Sequence, residues 1–344
     1  MSSLLEEEIL SQPALISRLL ERETEHIAAI AAQLPPFNYV MIAARGSSDH
    51  AALYATYSWA ALGGYPVALA TPSLYTLYGS PPRLDGALVI GISQSGQSPD
   101  IVAVLEAARK HGRPTLAITN DGASPLAAAA DHVVELHVGA EQSVAATKTY
   151  TAQLSVLAIF AAHLSGQQER LNELKRLPEW MADTLGHIQP VAGQAERYRY
   201  MTSCSIIGRG FNYATSFELA LKLKELTYVM STAYSSADFR HGPIATVEAG
   251  SPVILVMPSG KAHDDLHDLA LELQLRGAEL LVISNVSAAL ELARTPLPLA
   301  VSMPEWLSPI PAIIPGQMLA LHLALAKGLD PDLPRGLQKV TRTT

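Results

Sequence analysis

The sequence predicts an α/β protein made of two tandem domains, each a doubly wound, mainly parallel five-stranded sheet flanked by helices. Three observations carry that expectation. Short, nearly continuous hydrophobic runs alternate with longer stretches at helical spacing, as they do when parallel strands are covered on both faces. The chain has 344 residues, which at about 150 residues per domain points to two domains. The second half also repeats the first. Ile42-Ala-Ala-Arg-Gly46 matches Ile206-Ile-Gly-Arg-Gly210, Val89-Ile-Gly-Ile92 matches Val253-Ile-Leu-Val256, and Gly96 matches Gly260, each at an offset of 164 residues. Ile118-Thr-Asn120 matches Ile283-Ser-Asn285 one residue later. Two unrelated units with similar strands would leave the registered glycines and strand ends unexplained. A duplication of whole domains accounts for them.

The elements follow in order. Residues 1–34 read as helical, with Leu4, Leu5, Ile9, Leu10, Leu15, Ile16, Leu19 and Leu20 near helical spacing, and Pro35-Pro36 stops the run. Strands are expected at 38–44, 66–71, 87–93, 114–119 and 132–138, with helices between several of them. Residues 167–200 are polar and helical, and read as the connection to the second unit. Strands recur at 203–208, 252–258, 279–284 and 298–303, with helices over 211–229, 263–276 and 311–327. The expected organisation is therefore a helical segment at 1–34, a first domain at 35–190, a second at 191–330 and a tail at 331–344.

Composition excludes several classes of function. Hydrophobic residues make up 49% and charged residues 16%, enough for buried cores and unlike a disordered chain. The net charge of −8 argues against a nucleic-acid partner, which usually meets a basic face, but not against a local anion site. One cysteine, Cys204, leaves no intramolecular disulfide framework and no cysteine-based zinc cluster. No apolar run reaches the roughly 18 residues of a membrane helix, and the acidic start has the wrong sign for a secretory signal. A cytoplasmic protein with no metal or other cofactor is expected.

In open α/β sheets, ligands bind beyond the carboxyl ends of the strands. Two segments stand at such ends. Ala44-Arg-Gly-Ser-Ser48 follows the first strand, and Ser93-Gln-Ser-Gly-Gln-Ser98 follows the third. Gly46 and Gly96 allow tight turns. Ser47, Ser48, Ser93, Ser95 and Ser98 offer hydroxyls and amides near helix N-termini, the usual way to hold a phosphate with few basic side chains. Gln94 would form a polar wall, and Thr147 and Lys148 head another helix. Serines and glycines in such places also simply cap helices and make turns. The second copy, Met257-Pro-Ser-Gly-Lys-Ala262, has lost most of the hydroxyls, which one ligand site built mainly by the first half would explain. Neither turn has the P-loop pattern or a dinucleotide fingerprint.

The second half supplies charges. Lys222 and Glu225 share a helix face on a helix otherwise rich in leucine, although a solvated Lys/Glu face has the same spacing. Asp238 and His241 are three residues apart before a Gly-Pro. By itself a lone histidine is more often structural or exposed. The C-terminal stretch Pro334-Arg-Gly-Leu-Gln-Lys339 reads as a tail.

Taken together, Arg45-Gly-Ser-Ser48, Ile92-Ser-Gln-Ser-Gly96, Glu141-Gln-Ser-Val-Ala-Ala-Thr-Lys148, Gly208-Arg-Gly210, Leu219-Ala-Leu-Lys-Leu-Lys-Glu225, His241-Gly-Pro243 and Asp332-Leu-Pro-Arg-Gly-Leu-Gln-Lys339 resemble the double sugar-isomerase (SIS) domain family. That family includes glucosamine-6-phosphate synthase, stand-alone glucosamine-6-phosphate deaminases and deglycases of fructosamine phosphates. The resemblance runs from about residue 38 to the C-terminus, in family order. It implies that Ser48, Ser93, Gln94, Ser95 and Ser98 bind the sugar phosphate, and that a backbone carbonyl at Val144 faces the sugar; Gly46, Ser47 and Thr147 are expected to complete the substrate site. It further implies that Glu225 shuttles a proton between C1 and C2 with Lys222 beside it, that His241 opens the sugar ring from a neighbouring subunit, and that Lys339 approaches the sugar carbonyl. Arg45 and Asp49 stand where the synthase usually has Cys and Tyr, and Ala146 replaces a frequent serine. These departures bear on the substrate's identity, not on the phosphosugar class.

The synthase carries an N-terminal glutaminase domain whose cysteine follows the initiator Met. Here position 2 is serine and a short helical segment precedes the first strand. The expected activity is therefore the simpler one, in which glucosamine 6-phosphate and water give fructose 6-phosphate and ammonia. One alternative is a deglycase of 6-phospho-fructosamines, which would release an amino acid. A second, of another class, is a non-catalytic sugar-phosphate sensor, although 34 acidic, alanine-rich residues leave little room for a DNA-binding domain. The expected partners are a phosphorylated amino sugar and a second copy of the chain in a homodimer, with neither nucleic acid nor membrane.

Overall fold

The computed structural model describes residues 3–188, 191–300 and 302–339. Each repeat forms one five-stranded sheet, and every pairing in both sheets is parallel. The first contains β1 (Tyr39–Ala43), β2 (Val67–Leu69), β3 (Ala87–Ser93), β4 (Thr115–Thr119) and β5 (His132–Glu135), in the order β2-β1-β3-β4-β5. The second contains β6 (Ser203–Gly208), β7 (Met230–Ser235), β8 (Pro252–Val256), β9 (Glu279–Ser284) and β10 (Thr295–Pro298), in the order β7-β6-β8-β9-β10. Strand for strand the two orders are the same, as the repeat in the sequence requires. In each, the order reverses between the first and third strands, which is where an open sheet forms a ligand crevice.

Burial explains which strands were legible. Every residue of β3 and of β4 is buried, and each fully buried Leu, Ile or Val is worth about 1.5–3 kcal/mol. Two strands depart from the sequence expectation. Residues 230–235 were not expected to pair, yet form β7. As an edge strand, β7 leaves Met230 exposed and carries Ser231, Thr232 and Ser235, so it shows no hydrophobic run. The last strand is Thr295–Pro298, not 298–303, with Thr295 opposite Leu281. It holds Pro296 and Pro298, which suit an edge where no further ladder donor is needed.

Compactness divides the chain into two units. The described residues up to Pro13, Gln142–Thr147 and Arg176–Leu337 form one; Ala14–Glu141, Lys148–Lys175, Gln338 and Lys339 form the other. The expected helix over 1–34 is two helices, Leu4–Leu10 and Gln12–Gln33, and the unit boundary falls just inside the second. In the unit holding the second sheet, helices Tyr213–Thr227 and Pro309–Ala326 pack together. Pro309–Ala326 is long and apolar enough to cross a membrane, a feature the sequence reading did not find, and 83% of it is buried inside the fold. In the other unit, helix Lys148–Ser165 is buried from Lys148 to Ala162 and packs on helix Ser47–Gly63.

Candidate functional site

In the first repeat the two serine turns are fastened by an ion pair. β1 leads through Arg45 and Gly46, at φ +57°, into helix Ser47–Gly63. β3 leads through Ser93–Ser98 into helix Pro99–Lys110, with Ser98 at the N-cap and its side chain not used for capping. Arg45 Nε donates to Asp100 Oδ2 at 2.8 Å, and Asp100 is buried in the first turn of the second helix. A buried carboxylate there is favoured by the helix dipole and by the guanidinium. Asp49, which follows Ser48, is held above the usual carboxylate range by burial, with His50 and Arg45 pulling the other way.

The turn after β3 is tied by its own groups. The Gly96 N–H donates to Ser93 Oγ (3.2 Å) and the Gln97 N–H to Ser95 Oγ (3.3 Å). The Gln94 carbonyl accepts from the Asn120 N–H (3.1 Å). Gly96 has φ +62°, and a Cβ there would fall on the Ser124 hydroxyl, so glycine is required twice over. Gln94, Ser95 and Gln97 line a cleft of about 430 Å³ with Asn120, Asp121, Glu135, His137, Gly139 and Ala140. Of the residues expected to bind phosphate, Ser48 and Ser93 are buried, while Ser47, Gln94, Ser95 and Ser98 are half-buried.

Ser48 has a partner that the sequence reading missed. Gln153, fully enclosed in helix Lys148–Ser165, donates through Nε2 to Ser48 Oγ at 3.0 Å. A hydroxyl that accepts in this way keeps its own proton for another acceptor. A glutamine just ahead of the mainly apolar run Leu154–Ala162 was the available signal.

In the same unit, Lys148 Nζ donates to the Ala140 carbonyl (2.8 Å). Glu141, buried, accepts from Thr149 Oγ1 (2.5 Å) and from Lys339 Nζ (3.1 Å). The tail lysine is therefore anchored by a carboxylate that the sequence reading quoted only as part of a motif.

The segment Gln142–Thr147, which carries half-buried Val144 and buried Thr147, belongs to the other unit. Glu8, buried in the first helix, grips it. The Gln142 N–H donates to Glu8 Oε1 (2.6 Å), and the Ser143 N–H (3.3 Å) and hydroxyl donate to Oε2. Asp332 in turn accepts from the Leu4 and Leu5 N–H groups, both at 2.9 Å, at the start of that helix. Asp332 opens one of the motifs quoted above, whereas Glu8, the last of three successive glutamates, carried no pattern of its own.

That unit also holds the charged cluster. Lys222 Nζ lies 2.6 Å from Glu225 Oε2 and 3.3 Å from Glu218 Oε1, one turn to either side on helix Tyr213–Thr227. Lys222 and Glu218 are fully buried, whereas the Glu225 side chain is 21% exposed. The solvated-face alternative is therefore excluded for Lys222. A buried ammonium needs its carboxylates, and removing one partner of such a pair costs about 3–5 kcal/mol. Glu225 is the member with access to solvent, and its Oε2 is held by the buried ammonium. His241 is exposed after helix Ser236–Arg240. Its backbone N–H donates to the Asp238 carbonyl (3.1 Å), and its imidazole pairs with no described residue of its own chain. Cys204 is buried on β6, and burial pushes its thiol up to about 12, consistent with a small core residue. No group of three or more potential metal ligands occurs among the described residues.

Comparison with known proteins agrees with this architecture. The SIS domain family matches residues 38–163 and 202–327, one match on each sheet. Among curated relatives, the glutamine–fructose-6-phosphate aminotransferase (isomerizing) of Thermococcus kodakarensis is 35% identical over 96% of this chain, and that of Gloeobacter violaceus 38% identical over 87%. The chain spans about half the length of these relatives, 56% and 51% respectively. Among solved structures, a candidate phosphosugar isomerase from Silicibacter pomeroyi superposes with a TM-score of 0.87 at 34% identity, covering 96% of this chain and 100% of the other. The C-terminal domain of glucosamine-fructose-6-phosphate aminotransferase from Francisella tularensis gives 0.88 at 26% identity, covering 97% and 99%. A glucosamine-6-phosphate deaminase from Thermotoga maritima shares the fold, at 0.79 and 21% identity over 99% of this chain and 100% of the other. The chain is a two-repeat member of the SIS domain family, homologous to the isomerase half of glucosamine-fructose-6-phosphate aminotransferase and to phosphosugar isomerases.

Proposed function

We propose that this chain isomerises an amino sugar phosphate and releases its nitrogen, converting glucosamine 6-phosphate and water into fructose 6-phosphate and ammonia. The observation that carries the reading is the Lys222–Glu225 pair, a solvent-reachable carboxylate oriented by a buried ammonium. In the open-chain sugar, Glu225 takes the proton from C2 and returns it to C1. One carboxylate serves both adjacent carbons, leaving an imine at C2. Water adds to the imine, the C–N bond breaks, and ammonia departs as the C2 carbonyl forms. The phosphate is assigned to Ser48, Ser93, Ser95 and Ser98 with Gln94, whose hydroxyls and amides lie near helix N-termini.

We further assign ring opening to His241 acting from a second copy of the chain in a homodimer. Its exposure and the lack of a partner for its imidazole among the described residues favour that role. Lys339 is assigned to the sugar carbonyl, from its anchorage on Glu141.

The test is to incubate purified protein with glucosamine 6-phosphate and assay ammonia and fructose 6-phosphate in parallel. Equal amounts of the two products establish the activity. Product from a 6-phospho-fructosamine alone would make the chain a deglycase. Tight binding without turnover of either would make it a sensor.

A further inference from the structure

We propose that the second repeat retains an anion-binding nest at Ser259–Ala262, filled by the chain's own Glu305, so that an internal carboxylate occupies what would otherwise be a second phosphate site. The nest lies beyond β8, at the start of the 13-residue helix His263–Leu275. Glu305 engages it with both oxygens. The Lys261 N–H donates to Oε2 at 2.8 Å and the Ala262 N–H to Oε1 at 3.2 Å. Gly260, at φ +145°, makes room for it, since a Cβ there would fall on the Glu305 carboxylate carbon. Asn285 braces the turn, accepting from the Ser259 N–H (2.8 Å) and donating to Ser259 Oγ (3.0 Å).

The repeat shows what this arrangement stands in for. At the 164-residue offset, Lys261 and Ala262 correspond to Gln97 and Ser98 of the serine turn. A carboxylate bidentate on two successive amides at a helix N-terminus presents the charge and acceptor geometry of a phosphate. Glu305 lies seven residues after the end of β10 and four before helix Pro309–Ala326. The same two counts in the first repeat arrive at Gln142 and Val144, a stretch with no acid at Gln142, Ser143 or Val144. The neighbouring acid of the first repeat, Glu141, is engaged by Thr149 and Lys339, whereas the second repeat has Glu305 on its turn. The ligand class of the opened nest is a phosphate monoester or inorganic phosphate.

The experiment is isothermal titration of the full chain with inorganic phosphate, comparing wild type with Glu305→Ala. The variant is expected to bind one more phosphate per chain than wild type. It is also expected to gain melting temperature with added phosphate beyond the gain of wild type, with chloride at matched ionic strength as control. Equal stoichiometry and equal phosphate response in the two proteins would overturn the proposal. Should Glu305→Ala fail to fold alone, phosphate but not chloride is expected to restore its refolding yield, and no phosphate-specific rescue would also overturn it. If wild type binds no phosphate, the reading of the first-repeat turn fails, and a site gained in the variant still supports this inference.

Discussion

The two repeats share a scaffold and part company at their turns. Both sheets have the same strand order, and both fasten the first turn to the helix after the third strand by an arginine–aspartate pair. Arg45 meets Asp100 at 2.8 Å, and Arg209 meets Asp265 at 2.9 Å, at offsets of 164 and 165 residues. In the first repeat the turn beyond the third strand is lined with hydroxyls and opens on a cleft. In the second, the matching turn is filled by Glu305, and Asp265 collects Arg240 (2.9 Å) and the Ser236 hydroxyl as well. The buried lysine and its two glutamates are likewise on the second repeat alone. The two turns are equivalent in the repeat, and side-chain differences leave one lining a cleft and the other holding Glu305.

The sharpest test of this division of labour is Glu225→Gln. Removing a general base costs about 10²–10⁴-fold in turnover, so ammonia release from glucosamine 6-phosphate should fall by that factor with KM little changed. A variant with full turnover would remove Glu225 from the mechanism. Next in size is a pair of matched substitutions, Gly96→Ala and Gly260→Ala. Each places a side chain where none fits, and strain of this kind costs about 1–3 kcal/mol; both melting temperatures should drop. Only Gly96→Ala should also raise the KM for the sugar phosphate, by roughly tenfold, or about 1.4 kcal/mol. Equal KM in the two variants would break the contrast between the turns.

Gln153→Leu removes the donor to Ser48 while keeping an apolar helix. A several-fold rise in KM with kcat preserved is expected, because a neutral hydrogen bond is worth about 0.5–1.5 kcal/mol. Gln153→Glu, which can only accept from Ser48 when ionised, should not restore it. The smallest effect concerns Asp265. Burial raises its carboxyl, but the Ser236 hydroxyl and the Arg209 and Arg240 guanidiniums outweigh that and hold it below the usual carboxylate range. A carboxylate with a lowered folded pKa stabilises the fold above its unfolded value near 4 and loses that contribution as pH falls through the folded value. Asp265→Asn should therefore lower the melting temperature more at pH 7 than near pH 3. An unchanged gap between the two pH values would show that the pair contributes nothing.

Much of the fold was legible because its central strands are buried on both faces and so read as unbroken apolar runs. β7 was not, since an edge strand alternates serine and threonine with exposed positions. β10 was placed too late because the apolar run 298–303 outweighed the preceding Thr-Pro-Leu-Pro. The serine turns and the Lys222–Glu225 spacing were visible because they form local patterns. Glu8, Gln153 and Glu305 were not, because each acts on residues 43 to 135 positions away. The arginine–aspartate pair was within reach, since both members recur at the repeat offset. Its pairing becomes evident only once the turns are seen to face one another within each repeat.

The prolines of β10 have a consequence for the protein's solubility as a folded particle. A sheet edge invites another strand because its amides lack partners. Pro296 and Pro298 have no amide hydrogen, and together they make up half of the four-residue strand. Extension of the second sheet from that side is thus chemically blocked, whatever copy or peptide approaches. The opposite edge, β7, keeps its donors, so any strand-to-strand association of that sheet between molecules has to begin there.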